Sequence, residues 1–335
     1  MTLCFQLLPN PNAYYQQALR TLAVTELDCM LRSLGIAAEI APRVLGGADF
    51  LCFDAALTDG QLATLSRHSS LLLMAEEKDG LLLPLDVPRP VYLPRDCAEI
   101  PKYKGKTGTT FTRMLLNLAL SASGSLEKPR TTVLDPMCGR GTGLFVALES
   151  GCDAVGADVD TNDLRECMNW FSRYMTHGRF KHSLRQDSLT GPEGGTPRAV
   201  YTFADTKEHD RSGDTRTLTL LNGDTATCAR LLKKTRADAL ICDLPYGIQH
   251  APQRGRRPED FGQLLFRALP AWRDALRKGG AMAVSFNVLT LPRNRFIALA
   301  EAAGLTVLNE APYGRCEHFV EQAVHRDILV CRRDD

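Results

Sequence analysis

Apolar positions in this chain fall alternately into short solid runs and helical stripes, and their order predicts an α/β protein. The pattern is sharpest from Thr131 to Asp160. Thr131 to Leu134 is β-branched or apolar, as in a strand covered on both faces. Asp135 to Gly143 breaks that run, Leu144 to Glu149 continues as helix, and Ala154 to Ala157 forms a second strand ending at Asp158. Thr161 to Met175 reads as helix, with Trp170, Phe171 and Tyr174 as core residues. Strands follow at Thr215 to Leu221 and from Ala239, then a helix at Phe261 to Leu276 and a strand at Ala281 to Phe286. The helix Pro292 to Ala303 leads to closing strands near Thr306 to Asn309 and His325 to Val330. Seven strands with helices between them predict a doubly wound, Rossmann-like sheet.

Residues 1–95 read as a separate small α+β domain, for which a ferredoxin-like arrangement is one option. Thr2 to Leu8 has strand character, Ala13 to Leu34 carries a helical stripe, and Ala48 to Phe53 and Ser70 to Met74 are strand-like. Lys78-Asp79-Gly80 turns the last of these into Leu81 to Leu85 as a hairpin. Such a unit binds a macromolecule or covers a sheet edge, and the pattern favours neither. A proline-rich connection from Pro84 to Pro94 leads into residues 96–335, the second domain. Within it, 177–214 is rich in Gly, Pro, Arg, Asp and His and reads as an irregular insertion, with one short strand at Ala199 to Phe203.

Composition narrows the setting without naming a task. The 335 residues carry a formal charge of +1, so no global field draws the chain to nucleic acid and any such contact needs local patches. The 11 cysteines form no Cys-x-x-Cys pair and have no histidine at zinc spacing, which suits reduced thiols in a cytoplasmic protein; no metal is expected. No apolar run is long enough to span a membrane.

The break after the first long strand is where chemistry concentrates. Gly139, Gly141 and Gly143 alternate through it, and in parallel sheets ligands sit beyond the carboxyl ends of the strands. Asp135, the glycines and Asp158 should therefore share one crevice. No Gly-Lys-Ser/Thr follows, which excludes a nucleoside-triphosphate loop. A dinucleotide site also uses glycines and a downstream acid, but here an aspartate precedes the glycines, where it repels a pyrophosphate and attracts an amine.

The stretch Asp135-Pro136-Met137-Cys138-Gly139-Arg140-Gly141-Thr142-Gly143 resembles the first motif of class I S-adenosylmethionine-dependent methyltransferases. The resemblance implies that Asp135, Pro136, Cys138, Gly139 and Gly141 receive the methionine part of S-adenosylmethionine. It gives the ribose to Asp158, with Asp160 as the neighbouring alternative, and the adenine amine to Asp224. The basic segment Lys102 to Arg113 resembles the piece that closes over the methionine end in amino-methyltransferases, with Thr110 and Phe111 as its contacts.

A second motif, Asp243-Leu244-Pro245-Tyr246-Gly247, ends the strand that begins at Ala239. An exocyclic amine of a nucleobase is a poor nucleophile because its lone pair is delocalised into the ring. An acceptor at Asp243 and a backbone carbonyl directed by Pro245 can draw that density back to nitrogen, while Tyr246 stacks on the base. Cys242, one residue earlier on an alternating strand, points away from the crevice and reads as a buried hydrophobe rather than a nucleophile. Phe319 and His318 read as structural. Arg179, Lys181, His182 and Arg185, with Lys102 to Lys106, His250, Arg254, Arg256 and Arg257, could add a phosphate-contacting rim.

This second motif resembles the target motif of nucleic-acid amino-methyltransferases, and its Asp-Leu-Pro-Tyr-Gly form is closest to the RNA guanine-N2 type. The resemblance covers about residues 95 to 335 and implies a seven-stranded methyltransferase sheet. Its implied reaction is direct in-line transfer to a guanine N2 in RNA, most plausibly tRNA, with Asp243, Leu244, Pro245 and Tyr246 at the target. Residues 1–95 are too few for the ferredoxin-like plus THUMP arrangement of many guanine-N2 enzymes. DNA adenine-N6 or cytosine-N4 transfer, and a silent RNA- or cofactor-binding module, are the alternatives.

Overall fold

The structure is a computed structural model that describes residues 1–10, 13–191, 194–227, 232, 236–245, 253–254, 257–258, 260–321 and 323–335. The chain opens with β1 (Thr2–Leu7), α1 (Ala13–Ser33), β2 (Ala41–Leu45), β3 (Ala48–Asp54), α2 (Asp59–Leu65), β4 (Leu71–Lys78) and β5 (Leu81–Pro84). These strands form one antiparallel sheet in the order β2-β3-β1-β4-β5. Alternation in β1 sends Leu3, Phe5 and Leu7 to the core shared with α1, while Cys4 faces the other way and meets Cys52 thiol to thiol at 2.9 Å. The ten described cysteines are all buried free thiols.

Two helices, α3 (Asp96–Glu99) and α4 (Thr109–Ala122), carry the chain to the second sheet. There β6 (Thr132–Asp135), α5 (Thr142–Glu149), β7 (Asp153–Asp158) and α6 (Thr161–His177) follow in succession. Next come β8 (Lys181–Gly191), β9 (Gly194–Ala204), α7 (Lys207–Ser212), β10 (Arg216–Asn222) and β11 (Ala237–Asp243). Two short strands, β12 (Gln253–Arg254) and β13 (Arg257–Pro258), pair only with each other among the described residues. The end of the chain supplies α8 (Phe261–Ala275), β14 (Leu276–Asn287), α9 (Arg293–Ala302), β15 (Thr306–Val307), β16 (His318–Glu321) and β17 (Val324–Arg332).

The predicted seven strands make the path β10-β7-β6-β11-β14-β17-β15, parallel from β10 to β14 and antiparallel at β17 and β15. This is the doubly wound α/β sheet expected from the sequence, with additions. The region read as an irregular insertion is mostly regular: β8 and β9 form a hairpin registered from Lys181↔Ala204 to Gly191↔Gly194, and β9 joins β10 antiparallel. The reading failed because β8 is an edge strand exposed along most of its length, so it carries no apolar alternation. Strand β16, also unpredicted, pairs with β17.

Helices cover both faces of this sheet. On one side a single core runs from Leu3, Leu27 and Met30 of the first unit through Leu115 and Leu118 of α4 to Val146, Phe171 and Ile328. On the other, Leu240 and Cys242 of β11 pack with Leu265 and Trp272 of α8, Val284 of β14 and Phe296 of α9. A buried polar knot also joins the two units. Glu26 of α1 accepts hydrogen bonds from the Ser69 amide at 2.8 Å, its hydroxyl at 2.5 Å and the Asn117 Nδ2 of α4 at 2.6 Å. Among the described residues no helix is long and apolar enough to cross a membrane.

Candidate active site

At the carboxyl end of β6 the chain turns through Gly139 at φ +49° and Gly141 at φ +90°, and Gly141 caps α5. A Cβ at Gly141 would sit 2.6 Å from the Cys167 Sγ and 3.1 Å from the Phe145 ring. At Gly143 it would sit 2.5 Å from Asp135 Oδ2. These two glycines therefore make room first for the protein's own side chains. Cys167 and Phe145 pack beneath the turn, and the Asp135 carboxylate lies against the first turn of α5.

Asp158, at the tip of β7, is the clamp on this turn. Its Oδ2 accepts the Gly139 amide at 2.7 Å and its Oδ1 accepts the Asp160 amide at 2.9 Å. The backbone adds Cys138 N–H to Ala157 O at 3.1 Å and Gly223 N–H to Asp158 O at 3.0 Å, so the ends of β6, β7 and β10 are tied together. Asp160 has a different task. Its side chain accepts from the Asn162 and Asp163 amides at 2.8 and 3.1 Å, which caps α6. Asp224, beyond β10, accepts from the Ala226 amide at 2.7 Å and pairs with Arg267 at 3.3 Å. Pro136 and Cys138 are buried within the turn.

The turn is strongly acidic. Burial pushes the Asp135 carboxyl up to about 8, opposed by the Met137 amide at 3.3 Å and reinforced by the Asp158 and Asp243 carboxylates. Burial also raises Asp158, against the pull of the Asp160 and Gly139 amides. For an acid whose folded value lies above its unfolded one, the unfolded chain holds fewer protons between the two values, so stability falls as pH rises. Asp135 should thus cost stability progressively from about pH 4 to about pH 8, and Asp135→Asn should remove that slope. Urea melts across this range would show it; parallel curves for the two proteins would place the titration elsewhere.

Asp243 ends β11 opposite Ser285 of β14, and the Leu244 amide donates to Ser285 O at 2.9 Å. The Thr107 hydroxyl donates to Asp243 Oδ2. Leu244 is a core residue of the α8 face, and Pro245 is partly exposed. Cys242 is buried in the same core, on the opposite strand face from Ile241. Tyr246, Gly247, His250 and Arg256 lie outside the described residues, as do the side chains of Arg254 and Arg257.

The segment before α4 reaches the crevice through residues the sequence reading did not single out. The Tyr103 hydroxyl bonds the Thr142 Oγ1 at 2.6 Å, and the Arg140 guanidinium lies 5.2 Å from the Tyr103 ring centre. Together with Thr107 on Asp243, this segment bridges the glycine turn and the second motif. The aromatic and hydroxyls of the KYKGKTG run were the available signal. Thr110 is partly buried in the first turn of α4, while the Phe111 ring is packed under Arg326, at 4.3 Å, and beside His318. Lys106 donates to the carbonyls of Ala98, Pro101 and Glu99 at 2.6, 2.7 and 3.3 Å and so braces the loop.

One expectation for the basic rim fails. His182 pairs with Phe203, which pairs with Arg216 at the start of β10, whereas the crevice lies at the other end, where Asn222 pairs with Asp158. Six residues of strand, ~20 Å, separate the two ends, so Arg179 to His182 lie at the end away from the crevice, Arg185 registers midway along the strand, and the Gly191/Gly194 tip of the hairpin points toward the crevice.

The fold and the crevice define a doubly wound α/β protein with a second, antiparallel sheet unit. No protein-family model matches the chain, and no curated protein matches it. Among solved structures it is similar to TrmN from Thermus thermophilus, with 16% identity over 91% of this chain and 64% of that one at a TM-score of 0.39. A TehB-like SAM-dependent methyltransferase from Corynebacterium glutamicum is similar at 15% identity, over 61% of this chain and 80% of that one, with a TM-score of 0.35. An rRNA methylase from Streptococcus thermophilus is similar at 11% identity, over 62% and 89% of the two chains, with a TM-score of 0.33.

Proposed function

We propose that this chain is an S-adenosylmethionine-dependent RNA methyltransferase that acts on an exocyclic nucleobase amine, the N2 of a guanine in tRNA. The observation that carries the reading is the meeting of three carboxylates at adjacent strand ends. Asp135 and Asp158 sit on the glycine turn, and Asp243 raises Asp135 electrostatically from the neighbouring strand. Such a cluster suits a cationic ligand, and S-adenosylmethionine carries an ammonium and a sulfonium.

When bound, that cofactor supplies an electrophilic methyl group. Asp135 would face its ammonium, Asp158 would take the ribose hydroxyls on the lone pairs its amide partners leave, and Asp224 would take the adenine amine. Asp243 would accept a hydrogen from the target amine and hold its lone pair toward the methyl. The Thr107 hydroxyl fixes the carboxylate's orientation. The Leu244 carbonyl, directed by Pro245, offers the second acceptor. Tyr246 would add a stacking surface worth about 1 to 3 kcal/mol.

The test is transfer of labelled methyl from S-adenosylmethionine to tRNA, rRNA and DNA in separate reactions, with chromatography of the digested nucleosides. Labelled N2-methylguanosine from tRNA is the expected result. Label as methyladenine or methylcytosine in DNA would reassign the substrate, and cofactor binding without label in any pool would overturn the enzymatic reading.

A further inference from the structure

A second charged site lies away from the crevice, at the joint of the two units. Arg67 follows α2, Arg89 and Arg95 lie on the connection, Arg113 projects from α4, and Glu149 and Ser150 end α5. Together they line one small recess that is partly open to solvent. The eight residues of α5, ~12 Å of helix, separate it from the glycine turn.

Four guanidinium groups converge there, and among the described residues only one forms an ion pair. Arg113 holds Glu149 through two hydrogen bonds of 3.0 Å and reaches Glu99 at 3.0 Å. No carboxylate among the described residues forms an ion pair with Arg67, Arg89 or Arg95. Arg67 gives one terminal nitrogen to Leu126 O at 3.2 Å, and its Nε is buried without a partner among the described residues. Arg89 donates to the carbonyls of Leu71 and Leu72 at 3.0 and 2.8 Å. The Arg95 side chain forms no hydrogen bond with the described residues. Burial lowers all three from the usual arginine range; Arg113 and Arg89 lower Arg95 further, while the Glu149 and Glu99 carboxylates raise it. Arginine stays charged even so, and with only the Glu149 carboxylate among the side chains that line it, the partly exposed recess holds an excess of positive charge that an anion would balance.

We propose that this recess binds a phosphate group. Forked donors arriving from the end of α2 and from the connection match the several oxygens of a tetrahedral oxyanion better than the two of a planar carboxylate. The ligand spans the joint, since Arg67 belongs to the first unit and Arg95 and Arg113 lead into the second. The phosphate is either a free anion or a phosphodiester of bound RNA, and the chemistry of the recess is the same for both.

The test is thermal unfolding of the full chain in inorganic phosphate against chloride at matched ionic strength. Saturating phosphate should raise the wild-type midpoint by about 2 to 6 °C. Arg95→Gln should lose most of that rise while being no less stable than wild type in chloride, since it breaks no hydrogen bond or ion pair among the described residues. Arg89→Gln, which also frees two carbonyls, serves as the second variant and should lose the phosphate response whatever its own midpoint. Equal wild-type midpoints in the two salts, or an undiminished phosphate response in both variants, would overturn the proposal. The source is separated by tRNA binding across a salt series. If the ligand is RNA, each variant lowers the slope of log affinity against log salt by about 1 and phosphate competes. An unchanged slope with the phosphate response intact in wild type assigns the site to the free anion. Neither readout depends on methyl transfer.

Discussion

On the proposed function, Asp243→Asn is expected to slow methyl transfer by about 10²- to 10⁴-fold, the range of a lost proton-accepting group, and to weaken cofactor binding by a much smaller factor. Asparagine keeps the volume and the position at the end of β11. On the proposed reading it replaces an oxygen that would accept from the target amine with an NH2 that can only donate, so the lone pair would no longer be drawn toward the methyl. The Thr107 hydroxyl, now on Asp243 Oδ2, can keep a bond to the remaining amide oxygen, which limits the structural disturbance. Single-turnover transfer and calorimetric titration of the cofactor separate the two effects. A weakened cofactor complex that reacts at the wild-type rate once formed would move Asp243 from the target site to the cofactor site.

The second large effect is expected at Gly141. Alanine there meets two independent costs: a left-handed backbone at φ +90°, about 1 to 2 kcal/mol, and a Cβ pressed on Cys167 and Phe145, about 1 to 3 kcal/mol. Gly141→Ala should therefore lose about 2 to 5 kcal/mol of stability, read as a lower urea midpoint at unchanged slope. Gly139→Ala is the control. It shares the positive φ, at +49°, but its nearest neighbour is the Asp163 Oδ2 at 3.9 Å, so only the backbone cost applies, about 1 kcal/mol. Equal losses at the two positions would show that packing beneath the turn contributes little.

The central sheet was legible because its strands are buried on both faces. Val133, Leu134, Ala154, Ala157, Leu240 and Ile241 have nowhere to be but the interior, and their runs say so. The acids at the tips of those strands were legible for the same reason, since a carboxylate directly after a buried strand marks the edge of a crevice. Legibility failed where solvent set the composition. Strand β8, Lys-His-Ser-Leu-Arg-Gln-Asp-Ser, is exposed and looks like loop, and it took Lys181 and His182, expected at the crevice, to the far end of the sheet. The short α2 was missed although Thr58 and Gln61 form a capping box, a signal readable without any apolar stripe. Tyr103 and Thr107 were missed because a loop residue's neighbours depend on the path of the chain, which no periodicity records.

The shared core has a consequence for how a substrate is selected. Glu26 of the first unit is held by Asn117 of α4, and the apolar cluster runs from Leu3 to Ile328 without a seam. Units joined in this way cannot swing apart like jaws on a hinge, because opening would strip a close-packed interior and take the Asn117 hydrogen bond from a buried carboxylate. On the proposed reading the distortion then falls on the nucleic acid, which must present its base already unstacked. Guanines in strained or poorly paired positions would be taken first, and a regular duplex would be refused for the work of opening it rather than for its sequence.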